Sequence, residues 1–261
     1  MKKSVPVFCL LACALLSLSA SRKSAAPKPA VEVVGLHVVK PFSKAASSGT
    51  SVLLKVTSGG ARIVSIAPDS VRLFRFRDNR RTDLMRTDNP HQPASPLGDT
   101  WHVADDGASC VFELKAPNTP AAGADELRIE GKLVLLSGAG EKSAVQESLS
   151  LATDSKLTAG PVQMKVSQVQ DVQWTGVRRI VTLYTSESLA KIKELAFYDA
   201  DGSRIDTRVL KREENTFLGS GISQISIALS KRVNTAKVTV SYYQTMQKLP
   251  VNINVRTGLG F

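Results

Sequence analysis

The chain has 261 residues, of which 43% are hydrophobic and 5% aromatic, and its formal net charge is +11. This length and hydrophobicity exclude a disordered chain and predict one large or two ordinary globular domains. The charge is uneven, since residues 21–30 carry +3 and residues 158–261 carry +6, whereas residues 31–157 are balanced. The basic character therefore belongs to the start and to the C-terminal half of the chain.

Residues 1–20 are predicted to be a secretory signal peptide. Two lysines precede an apolar run over residues 5–16, and small residues follow at 19–21, which is typical of such signals. The run is shorter than the roughly 20 residues that a transmembrane helix needs. As an alternative, residues 10–13 resemble a bacterial lipobox, in which Cys13 would be acylated and would anchor the protein to a membrane. In both cases we expect export to the periplasm or the cell surface.

Residues 21–30 are rich in Ser, Ala, Pro and Lys and predict a flexible basic linker. Beyond them the chain is dominated by short segments in which apolar and polar residues alternate, most clearly over residues 222–255. Alternation places one apolar face against a core and one polar face in water, which predicts antiparallel β-sheets. Only residues 187–194 suggest a helix. We therefore expect an all-β protein with roughly eight and then seven strands.

The pattern of the first half recurs in the second half, in the same order. The matched segments are 76–78 with 197–199, 112–114 with 227–229, 127–135 with 238–246, and 145–151 with 249–255. Loops tolerate insertions better than core strands do, so differing loop lengths between matched strands are typical of a duplication. The sequence thus predicts two like β-sandwich domains, residues 31–157 and 158–261, that join near residues 155–161.

This strand pattern and repeat resemble the tandem immunoglobulin-like or fibronectin-III-like modules of bacterial exported proteins. The resemblance covers residues 31–261 and implies two antiparallel β-sandwiches in tandem. Modules of this kind have many unrelated functions, so the resemblance implies no specific activity. Cys110 is the one cysteine beyond residue 20, and alternation predicts that it is a small buried thiol rather than a reactive one.

No motif in the sequence predicts catalysis or a cofactor. The segment Asp199–Ser203 has acidic residues at alternate positions, but its glycine is fourth rather than sixth, so we interpret it as a hairpin turn and not as a calcium loop. His37, His91 and His102 lack metal-ligand spacing. We therefore predict a protein that is not an enzyme and binds no metal. A cleft in which His91 and His102 converge with Asp99 and Asp105 would contradict this prediction.

Two groups of basic residues could bind an anionic partner. The run from Arg72 to Arg86 is interleaved with Asp69, Asp78, Asp83 and Asp88, which predicts a strand face that compensates its own charge. Less compensated are three pairs in the second half, which we predict to contact an anionic partner: Arg178, Arg179, Lys211, Arg212, Lys231 and Arg232.

Together these features predict a non-catalytic structural or interaction module of the bacterial cell envelope. It would bind a protein or an anionic surface, such as a cell-wall polymer, through sheet edges and loops. Nucleic acid is not an expected partner. The alternative is a carbohydrate-binding or hydrolase accessory protein, with Tyr198, Tyr242 and Tyr243 as candidates for sugar contact, although alternation places Tyr242 in the core. Trp101 and Trp174 are interpreted as core or edge fillers.

Overall fold

The structure, a computed structural model, describes residues 28–39, 48–67, 69–86, 96–215 and 221–260. The predicted signal peptide, Cys13 and most of the linker lie outside these residues. Fifteen β-strands and one short 3-10 turn make up the described regular structure, so the prediction of an all-β protein is confirmed. The helix suggested near residues 187–194 is the 3-10 turn Leu189–Lys191. Within the described ranges there is no helix long and apolar enough to cross a membrane.

The strands are numbered in chain order. They are β1 (Ala30–Val39), β2 (Gly49–Thr57), β3 (Ile63–Ile66), β4 (Arg72–Asp78), β5 (Leu97–Val103), β6 (Ser109–Ala116), β7 (Glu126–Ser150), β8 (Lys156–Ala159), β9 (Val162–Trp174), β10 (Val177–Thr185), β11 (Ile192–Tyr198), β12 (Arg204–Ile205), β13 (Thr207–Asn215), β14 (Ile222–Leu229) and β15 (Thr235–Gly258).

These strands form three antiparallel sheets. The first outer sheet has the order β1-β2-β6-β5, and the second outer sheet has the order β13-β14-β10-β9-β8. The central sheet has the order β12-β11-β15-β7-β3, with β4 also paired to β7. Each outer sheet packs over one half of the central sheet. The two sandwich-like halves of the molecule therefore share the central sheet.

The central sheet is built on two unusually long strands. β7 has 25 residues and β15 has 24, and they pair from Thr235–Ser150 at one end to Gly258–Glu126 at the other. Each strand was predicted as two. Near the middle, a Cβ on Gly138 would lie 2.5 Å from Cγ of Tyr243. A residue without a side chain is therefore needed where this buried ring crosses the ribbon.

Because the long strands run antiparallel, each contributes one half to each of two hydrophobic cores. The first core contains alternating residues from the start of β7 and the end of β15: Leu127, Ile129, Leu133, Leu135, Val251, Ile253 and Val255. The second core contains Val238 and Val240 from the start of β15 and Leu149 from the end of β7. The boundary at 157/158 stays a prediction about folding units, but the packing does not follow it. Residues assigned to the second predicted domain complete the core of the first.

The two halves repeat the same strand order. The first outer sheet, β1-β2-β6-β5, has its counterpart in β9-β10-β14-β13 of the second. In the central sheet, Phe76 of β4 lies opposite Ile129, and Phe197 of β11 lies opposite Val238. Ile129 therefore corresponds to Val238. The sequence match had aligned Leu127 with Val238, two residues away, which leaves the inward and outward faces unchanged.

A turn built in the same way closes β4 in one half and β11 in the other. Asp78 Oδ1 accepts a hydrogen bond from the backbone N–H of Thr82 at 2.8 Å, and Asp199 Oδ1 accepts one from Ser203 at 2.9 Å. Burial alone would raise the pKa of Asp78, but its hydrogen bonds from backbone N–H groups outweigh burial and lower it,. The interpretation of Asp199–Ser203 as a hairpin turn is confirmed, since it joins β11 to β12.

Cys110 is fully buried in the first core, as predicted. Burial raises the pKa of its thiol to about 11, because the thiolate loses its hydration,. We expect native protein that starts at residue 28, and so lacks Cys9 and Cys13, to resist a maleimide at pH 8 while urea-unfolded protein is labelled completely. A variant with an added cysteine at an exposed site, Ser148→Cys, controls for reagent activity. Rapid labelling of native Cys110 would contradict its burial.

Candidate functional site

The six basic residues predicted to contact an anionic partner all make contacts within the protein. Arg179 is buried, and its Nε donates to Asp171 Oδ1 at 2.7 Å. Arg232 Nε lies 2.8 Å from the other oxygen of the same carboxylate. The hydrogen bond from Arg179 is the largest cause of the lowered pKa of Asp171. Two of the six cations thus share one internal carboxylate, which offsets one of their two charges.

The other four also have internal partners. Lys231 Nζ lies 2.6 Å from Asp199 Oδ2, and Lys211 Nζ lies 2.7 Å from Glu213. Arg212 donates through Nη2 to the carbonyl of Leu189 and to that of Ile192, the latter at 3.0 Å. Arg178 Nη1 donates to the carbonyl of Trp174 at 3.3 Å. Their role in binding an anion stays a prediction, but these contacts give each of them a structural role.

The arginine run of the first half is compensated only in part by the described aspartates beside it in sequence, of which Asp83 lies directly opposite Arg77 in an isolated β-bridge. Asp78 points into the protein, where both its carboxylate oxygens accept backbone N–H groups. Asp83 accepts the N–H of Met85 at 3.0 Å. Asp88 lies outside the described residues. Alternation along β4 sends Phe76 and Asp78 inward, and this leaves the arginines on the opposite face.

These arginines form part of what we call the basic face, the solvent side of the central sheet in the first half. It combines residues of β4, the first half of β7 and the second half of β15. Its basic members are Arg72, Arg75, Arg77, Arg128, Lys132 and Arg256, and its acidic members are Glu126 and Glu130. Six basic side chains thus share one side of the sheet with two carboxylates, and a third carboxylate, Asp83, lies opposite Arg77 at its edge.

Most of the internal compensation on this face comes from Glu130. Its carboxylate accepts hydrogen bonds from Arg75 Nη1 at 2.7 Å and lies 2.5 Å from Arg128 Nη2. Desolvation would raise the pKa of Glu130, but the charges of Arg128 and Arg75 outweigh it and lower the pKa. Arg256 approaches Glu126 only at 4.0 Å. Arg72 and Arg77 form no ion pair with any residue that the structure describes.

Three arginines lie side by side across the basic face. Arg128 of β7 is directly opposite Arg77 of β4 on one side and Arg256 of β15 on the other. Directly opposite side chains in an antiparallel pair are about 5 Å apart at Cβ, and like charges there destabilise the sheet. The Nε of Arg128 is also buried without a hydrogen-bond partner among the described residues. Glu130 pairs with Arg128, Glu126 lies 4.0 Å from Arg256, and Asp83 is directly opposite Arg77 in an isolated β-bridge. The row therefore concentrates three cations whose charges are offset only in part.

The equivalent position in the second half carries residues of opposite charge. By the correspondence of Ile129 with Val238, Arg128 corresponds to Lys237, which lies at a register shift where it faces both Glu147 and Ser148 of β7. Lys237 Nζ and Glu147 Oε2 form an ion pair at 3.1 Å. The same position in the sheet thus holds a salt bridge in one half and two arginines in the other.

Phe74 stands beside the basic face with an unusually exposed ring. It lies at a register shift between Leu73 and Arg75 in the pairing of β4 with β7, and 69% of its surface is accessible. Lys132 Nζ lies 5.8 Å from the ring centroid, within the range of a cation–π contact. An apolar ring and a cation are thus presented together at this edge of the face.

A second candidate site is a groove between the two halves. It has two parts, of about 210 and 240 Å³, which both contain Arg212 and Ala190. Trp101, which is 43% exposed, lines the larger part together with Glu214. Glu214 Oε1 accepts from Ser188 Oγ at 2.9 Å and from the N–H of Ala190 at 3.1 Å. The polar groups of the groove therefore mainly stabilise the 3-10 turn through hydrogen bonds.

The remaining candidate side chains are dispersed. Tyr242 and Tyr243 are buried, and Tyr198 is half-buried, which removes two of the three tyrosines suggested for sugar contact. Trp174 is 52% exposed at the tip of the hairpin between β9 and β10. Neither tryptophan is a core residue; both lie on the surface.

The titratable groups suggested for a catalytic cleft do not converge where the structure describes them. Asp105 lines the smaller part of the groove, whereas His102 lines neither part. His91 and the side chain of Asp99 lie outside the described structure. His37 is exposed on β1 and lines a separate cavity of about 460 Å³ with Glu113 and Lys115. Among described residues, no group of three or more His, Cys, Asp or Glu could hold a metal ion.

The chain was compared with protein-family models, with curated proteins and with solved structures, and none of them matches it.

Proposed function

We propose that the protein is a non-catalytic interaction module of the bacterial cell envelope that binds an anionic partner through its basic face. The observation that carries the proposal is the row formed by Arg77, Arg128 and Arg256. An anion from outside the chain would offset the repulsion among these charges and could form bidentate contacts with guanidinium groups. Binding would then be strong at low salt and screened at high salt.

We also propose an architecture and a cellular location for the protein. The two halves are two immunoglobulin-like sandwiches that exchange the second halves of their last strands, and the shared strand order supports this. Export to the periplasm or the cell surface is supported by the predicted signal peptide. If Cys13 were acylated, a lipid anchor would hold the basic face near a membrane.

Retention of the protein on a phosphate-bearing resin, eluted between about 0.05 and 0.5 M salt, tests the proposal. Any protein of net charge +11 binds such a resin to some extent, so matched variants are required. The test variant removes three charges from the basic face: Arg72→Gln, Arg77→Gln and Lys132→Gln. The control removes three exposed charges elsewhere: Lys156→Gln, Arg178→Gln and Arg208→Gln.

We expect the variant of the basic face to elute at clearly lower salt than the control, although both have the same net charge. The reason is that clustered charges attract an anionic surface together, whereas scattered charges do not reach it at once. Equal elution of the two variants would show that net charge alone governs retention, and the basic face would lose its proposed role.

A second candidate function, carbohydrate binding, is favoured by one observation, the exposed Trp101 in the groove between the halves. An aromatic ring beside a carboxylate and a guanidinium could contact a sugar. Retention on a neutral polysaccharide separates this candidate from the first. Binding that resists salt and is lost in Trp101→Ala, but not in Trp174→Ala, would favour it.

A further inference from the structure

The basic face differs from a simple cationic patch because an apolar ring stands beside its charges. Phe74 is the most exposed of the large hydrophobic side chains on the described surface, at 69%. Lys132 of the basic face lies over its ring, so the ring belongs to the same surface as the cations. The ligand class that satisfies both features must offer anionic groups and an apolar region within a few ångströms of each other.

The shape of the basic face narrows the choice of anionic partner. Three adjacent strands form it, and its residues line neither the groove between the halves nor the cavity beside His37. A linear polyanion is usually held in a groove that follows its backbone, and single-stranded nucleic acid is held by successive aromatic rings. Among the described residues of this face, Phe74 is the one aromatic side chain. A flat extended partner fits better than a polymer chain.

We propose that the basic face binds the surface of an anionic phospholipid bilayer, with Phe74 entering the interface between headgroups and acyl chains. Arg72, Arg77, Arg256 and Lys132 contact the lipid phosphates, since basic clusters near a membrane are attracted by its negative surface potential. Aromatic side chains are favoured at the headgroup level, because the ring can leave water there while the neighbouring charged groups stay hydrated.

This inference rests on the proposed function, because it names the anionic partner. It also gives the row of Arg77, Arg128 and Arg256 a role at a bilayer. These arginines stand on neighbouring strands about 4.8 Å apart, so one lipid phosphate can accept hydrogen bonds from two of them. The second half has Lys237 paired to Glu147 at the equivalent place, so only the first half faces the bilayer. The contact is peripheral and reversible.

Sedimentation with vesicles tests the proposal. The chain from residue 21, which keeps every described residue but lacks the apolar signal segment, is mixed with vesicles of phosphatidylcholine alone or with about half phosphatidylglycerol, at about 0.1 M salt. We expect binding to the anionic vesicles only. Phe74→Ala should weaken it about tenfold, because the ring no longer leaves water. The same substitution should leave retention on the phosphate resin unchanged.

Each alternative result has a defined meaning. Retention on the resin without vesicle binding would overturn the bilayer as partner and leave the proposed function standing, whereas binding to neither would overturn both. Vesicle binding that is unaffected by Phe74→Ala would also overturn the inference. So would loss, in Phe74→Ala, of binding to a single-stranded oligonucleotide but not to vesicles, since that result identifies the ring as a base contact. Phe74→Trp, which keeps an aromatic ring, should restore binding and should show a blue shift of its fluorescence on anionic vesicles.

Discussion

Cutting the chain between its two halves is expected to leave them bound to each other. A protease site can be inserted in the exposed turn at Thr153 and Asp154, which follows β7 and precedes β8. After cleavage, β7 belongs to one fragment and β15 to the other, yet they remain paired from Thr235–Ser150 to Gly258–Glu126. We therefore expect the cleaved protein to elute from a sizing column as one particle that separates only in denaturant.

The energies involved explain why this effect should be large. The end of β15 and the residue that follows it bury Val251, Ile253, Val255 and Leu259 in the first core. Full burial of one such side chain stabilises a protein by about 1.5–3 kcal/mol, so these four contribute roughly 6–12 kcal/mol. That amount is comparable with the whole free energy of unfolding of a domain, about 5–15 kcal/mol. The first half cannot be expected to stay folded without the second.

Two neighbouring substitutions give a matched test of this packing. Ile253 points into the first core and Asn254 points into water. Ile253→Ala should lower the free energy of unfolding by about 2–5 kcal/mol, whereas Asn254→Ala should change it by less than about 0.5 kcal/mol. Near-ultraviolet circular dichroism during urea unfolding provides the measurement. Fragments that separate as folded monomers after cleavage, or an Ile253→Ala variant as stable as Asn254→Ala, would contradict the shared cores.

The sequence could predict the strands of this fold but not their continuity. Alternation correctly indicates that Leu133 and Leu149 face inward, because it is a local property of the backbone. It does not say whether the chain turns back between them or runs straight into a second core. Gly138 and Gly140 lie in that interval and would suit a turn equally well. Only pairing with β15, a hundred residues away, shows that the strand continues.

The basic face of the first half was not singled out from the sequence for a related reason. The aspartates of residues 69–88 are close to the arginines in sequence, but side-chain direction decides whether they compensate them. Inward-facing Phe76 already implied that Asp78 points inward and Arg77 outward, so this signal was present. Arg256 joins the row from the far end of the chain. No local sequence pattern predicts that it lies beside Arg128. In the second half, Asp171 binds Arg179 and Arg232, a convergence that charge counting cannot detect.

The basic face can be tested against net charge by exchanging two residues between the halves. Arg256→Glu places a carboxylate opposite Arg128, which reproduces the Lys237–Glu147 pair. Glu147→Arg places an arginine beside Lys237 and restores the net charge. The local change at the basic face is two charge units, and a basic residue near an anionic surface contributes about 1 kcal/mol. We therefore expect Arg256→Glu to weaken binding by roughly 30-fold, and the new ion pair to leave the melting temperature unchanged or higher.

The decisive measurement is the dissociation constant of the double variant, Arg256→Glu with Glu147→Arg, for anionic vesicles or for a phosphate-bearing polymer at about 0.1 M salt. The double variant has the net charge of the natural chain, but its arginine row is broken. If the basic face binds the partner, the double variant will bind as weakly as Arg256→Glu alone. If it binds as tightly as the natural chain, net charge rather than the row of Arg77, Arg128 and Arg256 governs binding, and the proposed function is contradicted.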